Sequence, residues 1–202
     1  MLGTSSTNPL DILIIGGGLS GILVAREINS LGEFKWQLLE ARPTLGGRLE
    51  NDPAGNNIDL GGAWIWPRQH QQPQIDKLIK SLGIHTFLQP GDSSSTRIVG
   101  GAAGIVKAIV DELPPTTSGH DENENGHQFS YIQTNSPVVA CRRIENSNGC
   151  TEQSLVITVE LASGKEIHAK RVVLAAPPKL ISLYIKFDPP LSDAKTRAMA
   201  LS

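Results

Sequence analysis

The residues best suited to chemistry in this 202-residue chain are three glycines and a glutamate. Gly16, Gly18 and Gly21 fit the spacing G-x-G-x-x-G, and Glu40 follows Gly21 by 19 positions. Each glycine has a physical task in holding a pyrophosphate. Gly16 lets the chain turn sharply off a strand. Gly18 has no Cβ, so backbone can approach phosphate oxygens. Gly21 lets a helix pack closely on the strand. Ser20 lies in the same loop, where the free N–H groups and partial positive charge of a helix N-terminus favour an anion. A carboxylate about 20 residues further on is spaced to accept hydrogen bonds from a ribose diol, and it repels a 2′-phosphate. Together these features point to FAD or NAD rather than NADP. The plain alternative is a βαβ unit with a solvated Glu40.

Positioning these residues requires a strand, a tight turn, a helix and a second strand. Ile12 to Ile15 reads as the first strand, and Leu19 to Leu31 as a helix with Ile22, Leu23, Ala25, Ile28 and Leu31 near helical spacing. Gly32 sits where a helix cap belongs, and Trp36 to Leu39 reads as a strand ending at Glu40. Further on, Gln74 to Leu82 reads as a helix with one apolar face, ended by Gly83. Leu88 to Thr96 reads as a Gly/Ser-rich connector without periodicity, and Ala103 to Leu113 as a helix closed by Pro114-Pro115. Pro137 to Ala140 and Leu155 to Leu161 look like strands, Ser163-Gly164 like a hairpin turn, and Lys165 to Ala169 like the return. Arg171 to Ala176 reads as a buried apolar strand that rejoins the sheet beside the first one. Pro177-Pro178 breaks it, and Lys179 to Tyr184 begins a helix.

Two other glycine pairs suit close approach to a ligand. Gly46-Gly47-Arg48 joins a backbone able to pass near a ligand to a guanidinium able to pair with phosphate. Asp59-Leu60-Gly61-Gly62-Ala63-Trp64 puts small residues beside a large aromatic, as a flat ring lying against backbone would need. Each pair alone is also compatible with an ordinary surface bend. Lys and Arg number 18 against 20 Asp and Glu, a net charge of −2, which leaves no electrostatic footprint for nucleic acid or an anionic membrane. No apolar run reaches the ~18 to 20 residues that span a bilayer, and Met1 to Asn8 lacks the blocks of a secretory signal. The only cysteines, Cys141 and Cys150, flank a polar turn. A disulfide is geometrically possible, but two free thiols in a reducing compartment, which fits the cytoplasm, is the favoured reading. His120 and His127, in the acid-rich stretch 116–128, read as solvated rather than metal-binding. His85 reads as structural, and no residue stands out as a catalytic acid, base or nucleophile.

Taken in order, these pieces resemble the flavin-containing amine oxidase family, which includes monoamine and polyamine oxidases. The matches are the loop Gly16 to Gly21, Leu39-Glu40-Ala41-Arg42, Gly46-Gly47-Arg48 and Asp59-Leu60-Gly61-Gly62-Ala63-Trp64. Val99-Gly100-Gly101, Pro137-Val138, Val173 to Pro178 and Phe187-Asp188-Pro189-Pro190-Leu191 complete the set. The resemblance implies an α/β fold: a Rossmann-like FAD/NAD(P)-binding domain with a parallel sheet and a small antiparallel β-hairpin element. That domain would run over 10–202, built from 10–88 and 97–202, with a flexible N-terminus 1–9 and a mobile loop 116–128. It implies FAD, with Gly16, Gly18, Ser20 and Gly21 on the pyrophosphate and Glu40 on the adenosine ribose, Ala41 and Arg42 beside it. Gly47 and Arg48 would serve the phosphate region, Gly61, Gly62, Ala63 and Trp64 the flavin ring, and the Val138 backbone the adenine. The implied reaction moves a hydride from the carbon beside an amine to flavin N5, and dioxygen reoxidises the flavin to give hydrogen peroxide.

The chain departs from the family pattern in two places. Only Gly83 to Ile98 stands where the family has a long substrate-binding segment. The family's C-terminal half, with its remaining flavin and substrate contacts, has no counterpart before Ser202. The expectation is therefore a short amine-oxidase-like flavoprotein acting on a small-molecule amine. The alternatives are a non-catalytic FAD-binding fragment or half-enzyme and a phytoene-desaturase or protoporphyrinogen-oxidase type of flavoprotein. The fragment reading also expects apolar surface left exposed for a partner chain or for self-association.

Overall fold

The computed structural model describes residues 8–55, 58–66, 72–114, 131–144 and 156–201. The N-terminus through residue 7, the loop 116–128 with its two histidines, and Cys150 lie outside the described residues. No helix among the described residues is long and apolar enough to cross a bilayer.

The aliphatic run at the start forms β1 (Leu10–Ile15), and the amphipathic run after the glycine loop forms α1 (Leu19–Leu31). Gly32 takes the left-handed conformation that ends α1, with φ at 68°, and its N–H returns to Asn29 O. The chain then enters β2 (Trp36–Leu39), all four residues of which are buried. Strand β2 lies parallel to β1 in the register Ile12↔Trp36 to Ile15↔Leu39. Its other edge is covered by β6 (Ile132–Gln133), a parallel strand too short for the sequence pattern to reveal.

The last third of the chain builds the rest of the main sheet. Strands β7 (Val138–Ile144), β8 (Val156–Leu161) and β9 (Glu166–Leu174) form an antiparallel meander. The two stretches expected as a returning strand and a separate apolar strand are one nine-residue strand. Its first half pairs antiparallel with β8, and its second half pairs parallel with β1 through Val172, Val173 and Leu174. The neighbour of β1 is thus the expected one. Residues Val172 to Ala176 are half-exposed rather than buried, because β8 pairs only as far as Ala169 and this end of the strand is held by β1 on one edge. Pro178 opens α4 (Pro178–Tyr184) in the first helical turn, where a missing N–H costs nothing. After α4 come β10 (Lys186–Asp188), parallel to β7, and α5 (Asp193–Ala200), neither of which the sequence pattern reveals. Among the described residues the order is β10-β7-β8-β9-β1-β2-β6, a mixed seven-stranded sheet.

A second sheet corrects the sequence reading. The segment expected to be an unstructured connector from Leu88 to Thr96 is a hairpin, β4 (Thr86–Gln89) and β5 (Asp92–Ile98). Gln89-Pro90-Gly91-Asp92 supplies the turn: proline presets one φ, and Gly91 adopts a φ of 81°. Strand β5 also pairs with β3 (Trp64–Ile65), giving the order β3-β5-β4. Its serines offer no hydrophobic alternation, so periodicity could not reveal a strand held by backbone pairing on both sides.

Two apolar cores flank the main sheet. On one face Ile14, Trp36 and Leu38 pack with Ile22 and Ala25 of α1, Ile79 of α2 (Pro73–Ser81), Ile105 and Ile109 of α3 (Ala103–Asp111), and Ile65 and Ile98 of the small sheet. On the other, Leu13, Ile15 and Leu39 pack with Val138, Cys141, Val159, Leu161 and Ile167 of the meander. Full burial of an aliphatic side chain contributes about 1.5–3 kcal/mol. Ile14 and Ile22, both fully buried, therefore fix α1 on β1, and with it the loop between them.

Candidate cofactor site

The site begins where β1 stops. Gly16 N–H donates to Leu39 O at 2.8 Å, so the turn starts in register with β2. A methyl group on Gly16 would lie 2.9 Å from the Ala175 carbonyl, and one on Gly21 only 1.9 Å from Gly16 O. These two glycines are required for close packing of α1, the loop and the end of β9. Gly18 differs: a methyl there would meet nothing nearer than Gly47 Cα at 4.0 Å. Gly18 is also the N-cap of α1, without a side-chain cap, and the first turn of the helix carries no acid. The open side of Gly18 thus adjoins unsatisfied helix N–H groups, the arrangement that suits a phosphate.

Glu40 is buried at the end of β2 and grips the loop directly. Its Oε2 accepts from Gly17 N–H at 2.6 Å, and its Oε1 accepts from Arg42 N–H at 2.8 Å. A carboxylate offers about four acceptor positions, so capacity remains for hydroxyl donors. This bracing of the glycine turn by Glu40 is not visible in the sequence. The freely variable middle position of the motif hides it: Gly17 contributes its N–H, and a methyl there would crowd Leu45 and Glu40.

The other glycine pairs are layered onto the first loop. Gly46 N–H donates to Gly17 O at 2.8 Å, and Gly18 and Gly46 form a parallel bridge. Gly62 N–H donates to Arg48 O at 3.1 Å, and a methyl on Gly61 would lie 1.9 Å from that oxygen. Backbone therefore runs side by side from Gly17-Gly18 through Gly46-Gly47-Arg48 to Gly61-Gly62. Arg42 spends its guanidinium on Glu50 at 2.9 Å and on Gly47 O at 3.4 Å. Arg48 is exposed and, among the described residues, its side chain has no hydrogen-bond or ion-pair partner. Ser20 is exposed in the first turn of α1, and Ala41 is exposed next to Glu40.

Val138 is brought to the same edge from far along the chain. Ser136 N–H donates to Glu40 O at 2.9 Å and Asn135 N–H to Arg42 O at 3.0 Å, so the approach to β7 runs against Glu40 to Arg42. The side chain of Val138 is buried in the meander core. Beside the Gly61-Gly62 turn, Ala63 and Trp64 line an open, mainly apolar hollow of about 480 Å³ together with Leu19, Leu49, Ile75 and Ile105. Trp64 is 53% exposed.

Sequence reasoning passed over a cluster behind this hollow. Asp59 Oδ2 accepts from Arg97 Nη2 at 3.0 Å, and its Oδ1 accepts from Ala102 N–H at 2.6 Å. Asn51 Nδ2 donates to Gly100 O at 3.1 Å. The only sequence signal was the presence of Asp59 and Gly100 inside the glycine-pair segments. Among the described residues, no group of three or more His, Cys, Asp or Glu could hold a metal ion. Three residues beyond Val138, burial pushes the Cys141 thiol up to about 11.

The family described as flavin containing amine oxidoreductase matches residues 19–116 and 94–202 of the chain. Polyamine oxidase 5 of Oryza sativa subsp. japonica is 37% identical over 90 residues, 44% of this chain and 18% of that protein. An L-amino acid dehydrogenase of Synechocystis sp. is 32% identical over 120 residues, 56% of this chain and 25% of that protein. The flavin-containing amine oxidase B of Homo sapiens is 36% identical over 84 residues, 40% of this chain and 15% of that protein. The aligned part of the chain thus spans between 15% and 25% of the length of these relatives. Among solved structures, wild-type putrescine oxidase bound to putrescine superposes with a TM-score of 0.70 at 16% identity, covering 95% of this chain and 63% of that one. Cyclohexylamine oxidase from Brevibacterium oxydans IH-35A gives 0.69 at 15% identity, with the same coverage. At such identities the likeness is one of fold, a Rossmann-like sheet with helices and a small antiparallel sheet. With the family matched from residue 19 to residue 202, the chain belongs to the flavin-containing amine oxidases, whose cofactor is FAD.

Proposed function

We propose that this chain holds FAD along the three layered glycine segments and serves the oxidation of an amine. One observation carries the reading: the open side of Gly18 meets an uncapped helix N-terminus, with Glu40 at the adjoining strand end. In this reading the backbone at Gly16, Gly18 and Gly21 and the first turn of α1 at Ser20 hold the diphosphate. Arg48 supplies the nearby positive charge, with Gly47 giving close approach. Glu40 accepts from the ribose hydroxyls, flanked by Ala41 and Arg42, and the Val138 backbone meets the adenine. Gly61, Gly62, Ala63 and Trp64 flank the ring, where the apolar wall of the hollow excludes water. The chemistry that FAD supplies when bound is acceptance of a hydride from the carbon beside an amine nitrogen, with dioxygen as the final acceptor. Purified chain should be yellow, or turn yellow on addition of FAD with retention through gel filtration. Protein that stays colourless with added FAD overturns the reading.

A second observation bears on turnover. Among the described residues, the hollow at the ring end is lined by no Asp, Glu, His, Lys, Tyr or Cys, and Gln72 and Gln74 are the only ones there with a side-chain amide. This favours a chain that binds FAD but does not complete an oxidation site alone. The exposed Leu180, Leu183 and Tyr184 of α4 agree with a need for further protein surface. Amine-dependent peroxide release by this chain alone would argue that reading down.

A further inference from the structure

The Asp59 side chain is only 2% exposed. A carboxylate in such a place is costly unless it is paired and hydrogen-bonded. Both oxygens are used, and their donors come from two elements: Arg97 on β5, and Ala102 at the start of α3. The Arg97 guanidinium lies 5.9 Å from the centre of the Trp64 ring, within reach of cation–π attraction. Arg97 and Trp64 are also cross-strand partners in the small sheet. A guanidinium is planar, and its donors point in fixed directions. The carboxylate therefore restrains the Arg97 guanidinium from one side, and Arg97 in turn lies against the ring of Trp64. Asn51 ties the same junction a second time, through its bridge to Asp59 and its bond to Gly100 O.

We propose that Asp59 is a positioning residue for the ring end of the cofactor site. It holds Arg97 against Trp64 and pins the start of α3, and so sets the wall of the hollow formed by Ala63, Trp64 and Ala102. The link to the flavin rests on the reading of Gly61 to Trp64 as ring-facing; the link from Asp59 to Trp64 does not. It also explains why two segments 39 positions apart, around Gly61 and around Gly100, work as one unit.

Two substitutions test this. Asp59→Asn keeps the shape and removes the charge, and Arg97→Lys keeps the charge and removes the plane. The first readout is the Trp64 indole N–H resonance without FAD, assigned by its loss in Trp64→Phe. The second is the visible circular dichroism of bound FAD. Both substitutions are expected to shift the Trp64 resonance and to change the flavin dichroism. FAD should still bind, because the glycine loop and Glu40 are untouched. The dichroism change caused by Arg97→Lys should shrink when Trp64 is already replaced, since coupled residues are non-additive. An unmoved Trp64 resonance overturns the proposal. A moved resonance with unchanged flavin dichroism overturns the connection to the ring end. If Asp59→Asn fails to fold, Arg97→Lys decides on the same two readouts. If the unaltered chain binds no FAD, the proposed function falls while the resonance still decides the positioning role.

Discussion

At the scale of single residues, Glu40 combines an observed task, bracing the loop, with a proposed one, accepting from the ribose hydroxyls. Its oxygens hold Gly17 N–H and Arg42 N–H before any ligand is present. Glu40→Ala should therefore destabilise the ligand-free chain by about 1–3 kcal/mol, the cost of a buried donor left unpaired, as read from urea unfolding. A variant that loses FAD affinity with unchanged ligand-free stability would assign Glu40 to the ribose alone. Cys141 gives a second residue-scale prediction. Burial raises its thiol to about 11, so the thiolate that reacts with disulfide reagents is scarce at neutral pH. The Cys141 thiol should resist a colorimetric thiol reagent in the folded chain and react on denaturation, with Cys150→Ser removing the other thiol from the assay.

At the scale of elements, the hairpin β4–β5 and the strand trio β9–β1–β2 each depend on a local device. Gly91 has a φ of 81° and no atom within 4 Å of where a Cβ would sit. Gly91→Ala should therefore cost about 1–2 kcal/mol through backbone conformation alone, measured by chemical denaturation. A neutral effect would mean that the turn is not held in this conformation. Asp11 clips the trio together. It accepts from Lys170 on β9 at 2.7 Å and from Lys35 N–H, just before β2, at 2.9 Å. The Lys170 hydrogen bond, then the Lys35 backbone bond, holds the carboxyl below its ordinary value of 3.8. A depressed folded value means that the ionised form is favoured by folding. The stabilisation is thus present above the ordinary value and disappears as pH falls through the lowered one. The stability difference between the unaltered chain and Asp11→Asn should be constant near neutrality and close below about pH 4. A difference that persists into acid would remove charge from the explanation.

At the scale of the whole molecule, the proposed ligand track joins parts that sequence separates. The glycine loop, the Arg48 turn, the Gly61 turn and the approach to β7 all sit at one end of the main sheet, on backbone contacts to one another. A ligand bridging them binds only the folded chain. FAD should therefore raise the melting temperature in a concentration-dependent way, and free FAD at a hundredfold excess over its Kd should add about 2.7 kcal/mol. Glu40→Ala should shift that dependence to higher FAD. A melting temperature independent of FAD would oppose the proposed track.

The amino-acid sequence alone determined the strand–loop–helix unit, the pairing of β1 with β2, the place of β9 beside β1 and the family. These follow from local signals: apolar runs, helical spacing, and glycines at turns where a Cβ would collide with backbone. It did not determine β5, whose serines carry no alternation, or β6, whose two residues carry no period. Nor did it reveal that Gly17 and Glu40 are bonded, or that Asp59 reaches Arg97 and Ala102. Those partners lie 23, 38 and 43 positions apart. Only the tertiary structure decided them, because a buried carboxylate takes whichever donors the packed backbone presents, and the spacing of residue types carries no record of that choice.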